Sequence, residues 1–515
     1  MLLELSDLVA LVRHYSPKFS LQFEVKSGSK TKIGRLLGIL IDPKSDLNGN
    51  EIAISLGYTG ENSKGFKMLC ARLEDKLLTV LVLMDYKQNA STVKKKTFEL
   101  FKGFLQGQML ITNNRRKLAI KVLERSLNEA LKYEKTLISI SILEKLTIHY
   151  AYINRNDKQF NKYEKLKKDL MLILIEEQKV ETMYNELSNV ALFKAKADPD
   201  YLYKIAKSFS ESLQEGQSRI NSFRYNSLAY QIRQFYLNLD GRYYESIKLC
   251  NEAINFLKDK PFFNRSSYVV FSDPKVDAYL NIQQYEEAKN EIKGLYQHLT
   301  KESFDWFKNQ RKLFFVYSLQ NDYQEMYRLT SEMTDPKLYN KNQAFLENWK
   351  IREAYVNFLI RAKVVKEEKQ YPLKNFRLAR FLNEVPTFSK AKQGVNTAML
   401  IVQILFYIVE GRLDKVQGKL DALTKYCHRY LRRDETYRFN CFIKMLLRLP
   451  EAEFNPIRTQ RYVKKYYDKL EAYPREKTIE SFSAEVIGFE ELWDIIIETL
   501  PRRGYRTRKK AISVR

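Results

Sequence analysis

The chain has 515 residues, 44% hydrophobic and 13% aromatic, so it is too apolar for a disordered protein and long enough for more than one core. Gly (17) and Pro (12) are scarce, which disfavours β-sandwiches, barrels and Gly-rich loop enzymes and favours helices. The net charge of +26, from 88 Lys and Arg against 62 Asp and Glu, favours acidic partners such as nucleic acid or an acidic protein surface.

Residues 1–88 are predicted to form a small N-terminal helical domain. Lys30–Asp42 places apolar side chains on one face at helical spacing, and a turn-forming segment follows it. Next come a short helix at Glu51–Gly57, a tight turn, and a second helix from Asn62. This spacing is similar to that of helix-turn-helix DNA readers, and also to that of many small helical bundles.

Two interpretations of this N-terminal domain remain open. If it reads duplex DNA, the residues offered to nucleic acid are Asn62, Ser63, Lys64 and Lys67, with a basic flank that contains Lys30, Lys32 and Arg35. However, residues 48–76 carry four basic and four acidic side chains, and an apolar exit leads on to about Met84. These features favour a structural or protein-docking bundle.

Residues 89–110 are predicted to be a linker and a first helix, and helical hairpins repeat over residues 111–455. The clearest unit is Tyr236–Pro261, in which a glycine ends one helix, a tyrosine packs in the turn, and small residues line the next helix. Three further units repeat the pattern over residues 279–299, 317–333 and 406–426. The repeat-packing positions are Gly241, Tyr243, Ser246, Ala253, Tyr285, Ala288, Tyr323, Gly411 and Val416.

These units resemble degenerate tetratricopeptide repeats. The resemblance implies an all-α fold in which neighbouring hairpins stack into an elongated α-solenoid with a concave surface. Several units replace the small positions by Met, Val or Ser, so the helix spacing is expected to be irregular. The alternative is an irregular helical bundle without a superhelix.

Two segments late in the array have a functional and a structural interpretation. Ala398–Val409 is strongly apolar but has only about 12 residues against the roughly 20 that span a bilayer, so a buried helix without membrane insertion is expected. Phe376, Leu378 and Phe381 lie among basic residues. They can stack nucleobases, but at helical spacing a core stripe is favoured.

Residues 456–500 are predicted to form a C-terminal helical cap. Glu485–Leu500 has apolar residues at helical spacing, as expected of a helix that covers the last repeat. Residues 501–515 form a basic tail that either solubilises the chain or neutralises phosphates. Its candidate nucleic-acid contacts are Arg502, Arg503, Arg506, Arg508, Lys509 and Lys510.

The sequence contains no recognisable catalytic, metal-binding or phosphate-binding motif. The four histidines lack metal-ligand spacing, and neither a P-loop nor a nucleophile elbow occurs. The sequence therefore predicts no enzyme activity and no cofactor. The four scattered cysteines and the acidic residues near the start, Glu4 and Asp7, predict a cytoplasmic protein without a signal peptide.

Two functions follow from this organisation. The first is a non-catalytic scaffold or adaptor that binds a protein or peptide on its concave face. The alternative is a nucleic-acid-associated transcriptional regulator with an N-terminal helix-turn-helix-like module and a sensing solenoid. The sequence does not indicate an oligomeric state.

Overall fold

The structure, a computed structural model, describes residues 2–15, 31–41, 48–83, 92–193, 198–216, 219–260, 263–334, 343–373, 376–384, 393–430, 437–473 and 485–501. Within these ranges the regular structure is helical, with no β-strand. The chain divides into two compact units, residues 1–179 and 180–515. The predicted domain boundaries at residues 88, 110 and 455 stay predictions.

The first unit contains an N-terminal bundle and a following set of longer helices. Its helices are α1 (Leu2–Tyr15), α2 (Lys32–Ile41), α3 (Gly49–Ser55), α4 (Lys64–Leu83), α5 (Thr92–Thr112), α6 (Arg116–Lys132), α7 (Thr136–Ile148) and α8 (Asp157–Phe193), whose range crosses the boundary at 179. A π-helical segment, His149–Ile153, follows α7.

The second unit contains fourteen further helices within the described ranges. They are α9 (Pro199–Gly216), α10 (Phe223–Leu239), α11 (Tyr243–Lys258), α12 (Arg265–Asn281), α13 (Tyr285–Tyr296), α14 (Phe304–Leu319), α15 (Tyr323–Glu332), α16 (Gln343–Arg361), α17 (Leu378–Glu384), α18 (Gln393–Val409), α19 (Leu413–Tyr430), α20 (Tyr437–Glu451), α21 (Pro456–Glu471) and α22 (Phe489–Thr499). Successive helices contact each other along most of this series.

The N-terminal bundle is held by α1, α2 and α4, which contact one another in pairs. Its core includes Leu36, Phe66 and Leu73, all fully buried. The short helix α3 begins with a capping box, because the Asn48 side chain accepts from the Glu51 N–H while the Glu51 carboxylate accepts from the Asn48 N–H. This reciprocal pair satisfies two N–H groups that the helix would otherwise leave unpaired.

A tight left-handed turn closes each of six helical hairpins. In each turn a residue with positive φ is followed by one whose N–H bonds the carbonyl five residues earlier, for example Arg242 to Leu237 at 2.9 Å. This is the Schellman arrangement, and the next helix begins at once. The left-handed residues are Asn114, Glu134, Gly241, Gln283, Asn321 and Gly411.

Four of the predicted repeat-packing positions lie in the interior of the fold. Ser246, Ala253, Ala288 and Val416 are buried, which is what close approach of paired helices needs. The all-α class and the packed helical hairpins are confirmed.

The C-terminal helix α22 covers a large apolar surface. It contacts α18, α20 and α21, and its buried side chains match the predicted stripe. Those side chains are Phe489, Leu492, Trp493 and Ile496, followed by Leu500. Phe489 stacks on Phe442 of α20 with ring centroids 4.4 Å apart. The prediction of a C-terminal capping helix is confirmed.

One buried arginine fastens this cap. Arg438 of α20 is 2% exposed. Its Nε and Nη2 atoms donate to the Glu485 carboxylate, and Nη2 also donates to Glu490. Its Nη1 atom donates to the carbonyls of Leu470 and Tyr473. All five guanidinium N–H groups thus have acceptors. Burial alone would lower the pKa of Arg438, but the hydrogen bonds that it donates to Glu485 and Glu490 raise it.

Three free thiols lie in three different clusters. Cys70 is buried in the N-terminal bundle, Cys250 in the cluster beside α12, and Cys441 in the large core of the second unit. Burial raises the pKa of all three thiols and brings that of Cys250 to about 12. The thiolate form is therefore scarce at neutral pH.

The left-handed turns predict opposite effects for two glycines in open surroundings. Gly241→Ala should destabilise by about 1 kcal/mol because φ is +73°, whereas Gly418→Ala in the helix α19 should stabilise by about 0.5–1 kcal/mol. Neither added Cβ meets an atom within 4 Å, so backbone conformation decides the sign. Urea unfolding of both variants measures the difference, and the same sign for both would contradict the turn assignment.

The buried arginine predicts an asymmetry within α20. Arg438→Met should cost about 3–5 kcal/mol because it leaves two largely buried carboxylates without their cation. Arg448→Met is the matched control, since Arg448 pairs with Glu451 on the exposed side of the same helix and should change stability by less than about 1 kcal/mol. Thermal unfolding of the two proteins, with tryptophan fluorescence to follow Trp493, measures it. Equal losses would show that Arg438 does not fasten the cap.

Candidate interaction surfaces

Among the predicted nucleic-acid residues of the N-terminal bundle, Asn62, Lys64 and Lys67 are exposed, whereas Ser63 is half-buried. Lys64 and Lys67 lie on the first turns of α4, and Asn62 and Ser63 precede that helix. The Ser63 hydroxyl accepts from the Phe66 N–H at 3.4 Å, so it caps α4. Because its hydroxyl is engaged in this way, Ser63 is less available to a base edge than its neighbours.

Helix α2 contributes basic residues close to the same place. Lys32 and Arg35 are exposed on α2, and the Lys32 ammonium lies 4.1 Å from the centroid of the Tyr58 ring. Tyr58 belongs to the connection between α3 and α4 and packs near Phe66, at 5.8 Å between centroids. The beginning of α2 therefore lies beside the connection that leads into α4.

The connection between α3 and α4 differs from the predicted turn. The first helix ends at Ser55, two residues before the predicted Gly57, and the second begins at Lys64 rather than Asn62. Residues 56–63 thus separate the helices, against the three or four residues usual in helix-turn-helix modules. DNA reading by this module stays a prediction.

Several candidate residues lie outside the described part of the chain. They are Lys30 and the tail residues Arg502, Arg503, Arg506, Arg508, Lys509 and Lys510. Their proposed contacts with nucleic acid stay predictions.

The three turn tyrosines lie at the beginnings of helices. Tyr243, Tyr285 and Tyr323 are each the first residue of the second helix of a hairpin and are half-buried. Tyr285 and Tyr323 pack against the large core of the second unit. The rings of Tyr285 and Tyr323 therefore contribute to packing within the core, and the packing role of Tyr243 stays a prediction.

The aromatic residues among the bases near residue 380 also belong to the core. Phe381 is buried, and Phe376 stacks on Phe406 of α18 with centroids 4.8 Å apart. Leu378 packs against the same core. The core interpretation is confirmed for these three residues, and they do not form a platform for bases.

A charged row links α12 to α14. Lys312 is 2.8 Å from a carboxylate oxygen of Asp273 and 2.7 Å from one of Asp277, and Lys308 also pairs with Asp273. Lys312 further donates to the Asp273 carbonyl at 3.1 Å. We call these four residues, Asp273, Asp277, Lys308 and Lys312, the charged row.

The members of the charged row differ in exposure. The side chains of Asp273 and Lys312 are 15% and 9% exposed, whereas those of Lys308 and Asp277 are 34% and 44% exposed. Burial would raise the pKa of Asp273, but Lys312 and Lys308 outweigh it and hold the pKa below its usual range. Burial opposes the charge of Lys308, yet Asp273 raises its pKa. Asp273 and Lys308 therefore both stay charged at neutral pH.

A second buried pair lies within the hairpin of α12 and α13. Lys275 of α12 is 2.7 Å from Glu291 of α13, with both side chains 11% exposed, and also donates to Asn251 of α11 at 3.1 Å. It thereby links three successive helices through one ammonium group.

Sequence reasoning did not single out the charged row. The available signal was a pair of acids four residues apart on one helix, Asp273 and Asp277, and a pair of lysines four residues apart on the first helix of the next hairpin. Residues at this spacing share one face. Opposite charge on matching faces of successive hairpins could have predicted the pairing.

The described residues include neither a membrane-spanning helix nor a metal-binding group of side chains. No helix there is long and apolar enough to cross a membrane. No group of three or more His, Cys, Asp or Glu side chains in the same ranges is arranged to hold a metal ion.

Comparison with known proteins leaves the family open. No family model matches the chain, and no curated protein matches it. Among solved structures, the chain is similar to one described as "Structure of SeMet-phAimR", with a TM-score of 0.38 and 13% identity over 96% of this chain and 100% of that chain. A likeness at this TM-score supports no inference about function.

The charged row predicts a pH-dependent contribution to stability. Because the pKa of Asp273 is lowered in the folded chain, its contribution is complete above the unfolded value of about 3.9 and is lost as the pH falls through the folded value. At pH 7, Asp273→Asn should cost about 2–4 kcal/mol, since it leaves two lysines without their carboxylate.

Urea unfolding between pH 7 and acid pH measures this contribution, and the difference between wild type and Asp273→Asn should shrink below about pH 4. Glu286→Gln is the control, because the Glu286 side chain is 65% exposed where it pairs with Lys289, so the substitution should leave stability almost unchanged. A difference for Asp273→Asn that does not vary with pH would contradict the assignment.

Proposed function

We propose that the chain is a non-catalytic helical-repeat scaffold that binds a protein or peptide on the face formed by the first helices of its hairpins. The charged row carries this proposal. It bridges the first helices of two successive hairpins, α12 and α14, and two of its four members keep about a third or more of their side chains exposed. Neighbouring helices in hairpin arrays form continuous surfaces, and we place the concave surface that the sequence predicts on the first helices.

The energetics support a role beyond stability for these charges. Well-packed apolar residues in place of a buried ion pair are often as stable or more stable. Charges of both signs at a partly covered surface offer a partner directional hydrogen bonds and discrimination by charge. A peptide with both acidic and basic side chains matches Asp277 and Lys308 together.

A display library of random peptides tests the scaffold function with the full chain as bait. Peptides selected by the wild type should bind at least about a hundredfold more weakly to the double variant Lys308→Ala with Asp277→Ala, because each of the two lost charged hydrogen bonds is worth about 1.5–3 kcal/mol. Lys415→Ala, an exposed substitution on the second helix α19, is the control and should bind as the wild type does. Selection of no peptide, or equal loss in the control, would contradict the proposal.

A second candidate function is nucleic-acid-associated regulation through the N-terminal bundle. The observation that favours it is the position of Lys32 beside the connection that leads into α4, where Lys64 and Lys67 are exposed. Basic groups from two helices thus lie near one another, as phosphate contacts require. The net charge of +26 would assist association.

Duplex DNA binding by the full chain at about 50 mM salt tests this second function. Lys64→Glu with Lys67→Glu should weaken binding. It should also make the slope of log K against log salt concentration shallower by about two, because two fewer phosphates are neutralised. Arg72→Glu with Lys76→Glu, further along α4, makes the same change in charge and should have a smaller effect. Equal effects would indicate non-specific attraction, and absence of binding would exclude the regulator.

The proposed location is a reducing compartment such as the cytoplasm. Three cysteines are free and buried in separate clusters, which is how thiols are used where disulfides do not persist.

A further inference from the structure

A cavity of about 400 Å³ opens between α12 and the beginning of α14. Its walls combine the apolar side chains of Val269 and Leu299 with polar side chains, which are those of Ser266, Asp273, His298, Thr300, Ser303 and Asp305. This volume lies within the range that holds small ligands or a single large side chain.

A proline inside α12 adds an acceptor to this wall. Pro274 lies in the helix interior and has no N–H, so the carbonyl of Val270, four residues earlier, lacks its usual intrahelical donor. Val270 itself lines the cavity and is 38% exposed. The helix therefore offers the Val270 carbonyl as an acceptor, whereas in an uninterrupted helix that carbonyl would be paired with the N–H of residue 274.

The carboxylates in the wall differ in how far they are already used. Asp273 is neutralised by Lys308 and Lys312 of the charged row. Asp305 lies in the exposed first turn of α14, where Ser303 caps the helix by accepting from the Trp306 N–H at 3.2 Å. Asp305 thus supplies a negative charge at the mouth of the cavity, close to the Val270 wall.

We propose that this cavity binds an organic cation, an ammonium or guanidinium group on a short apolar stem. The N–H groups of the cation donate to the Val270 carbonyl and the Asp305 carboxylate, and its stem packs on Val269 and Leu299. Donors are required because the Val270 carbonyl and the Asp305 carboxylate only accept, whereas the hydroxyls and the imidazole in the wall can do both. A positive charge is favoured because Asp305 lies at the entrance. The proposal does not depend on the function proposed above.

Ligand-observed saturation-transfer NMR with n-butylguanidinium and n-butylammonium tests the site in the full chain. For ligands this small, a dissociation constant of about 1 mM is expected. Butyrate, an anion of similar size, should not bind. Saturable binding of butyrate in preference to both cations would overturn the proposal, and so would the absence of saturable binding by either cation.

Two variants with matched controls locate the binding. Pro274→Ala restores the N–H that pairs with the Val270 carbonyl and should weaken cation binding about fivefold without unfolding the chain. Pro450→Ala, at a proline inside α20, should leave binding unchanged.

Asp305→Asn should weaken binding about tenfold, whereas Asp414→Asn, at the matching first-turn position of α19, should not. Equal effects of a variant and its control would overturn the assignment.

The source of the cation is distinguished by a third probe. N-acetyl-arginine amide, which carries the guanidinium on a peptide backbone, should bind more tightly than n-butylguanidinium if the natural ligand is an arginine side chain. Weaker binding of the capped arginine would assign the cavity to a free amine or guanidine. Either order supports a cation site if the variants behave as stated.

Discussion

The left-handed turn at the end of each first helix is the constraint on which the hairpins depend. It reverses the chain within two residues and fixes where the second helix begins, as at Gly241 and Tyr243. Both of its hydrogen bonds satisfy carbonyls at the helix end, so the reversal leaves few backbone groups unpaired. The small residues that follow, such as Ser246 and Ala253, then face the preceding helix and allow it to pack closely.

The turns also explain which hairpins could be predicted from sequence. Gly241 and Gly411 predict a left-handed turn residue in the sequence, because glycine adopts positive φ without strain. Gln283 and Asn321 adopt the same conformation with side chains that give a weaker signal, so their turns were located through the tyrosines that follow. The helix class and the apolar stripe of α22 came from periodicity alone, which depends only on local spacing.

The charged contacts could not be predicted in the same way. Arg438 meets Glu485 across 47 positions of sequence, and Lys312 meets Asp273 across 39. No local pattern specifies such partners, since a charged residue in a helix is usually solvated. Arg438 and the charged row also differ in how many of their polar groups are paired inside the fold. The guanidinium of Arg438 uses every donor inside the fold, whereas the charged row leaves Lys308 and Asp277 partly open to solvent, and that difference separates a fastening from a candidate binding surface.

The buried thiols give the chain internal reporters of local opening. Alkylation requires access and a thiolate, and in the folded chain Cys70, Cys250 and Cys441 lack both. Each belongs to a different cluster, so its reactivity follows the opening of that cluster alone. With Cys427 replaced by serine, pulsed alkylation and mass spectrometry would read the order in which the N-terminal bundle, the α12 cluster and the capped core come apart, without any foreign label.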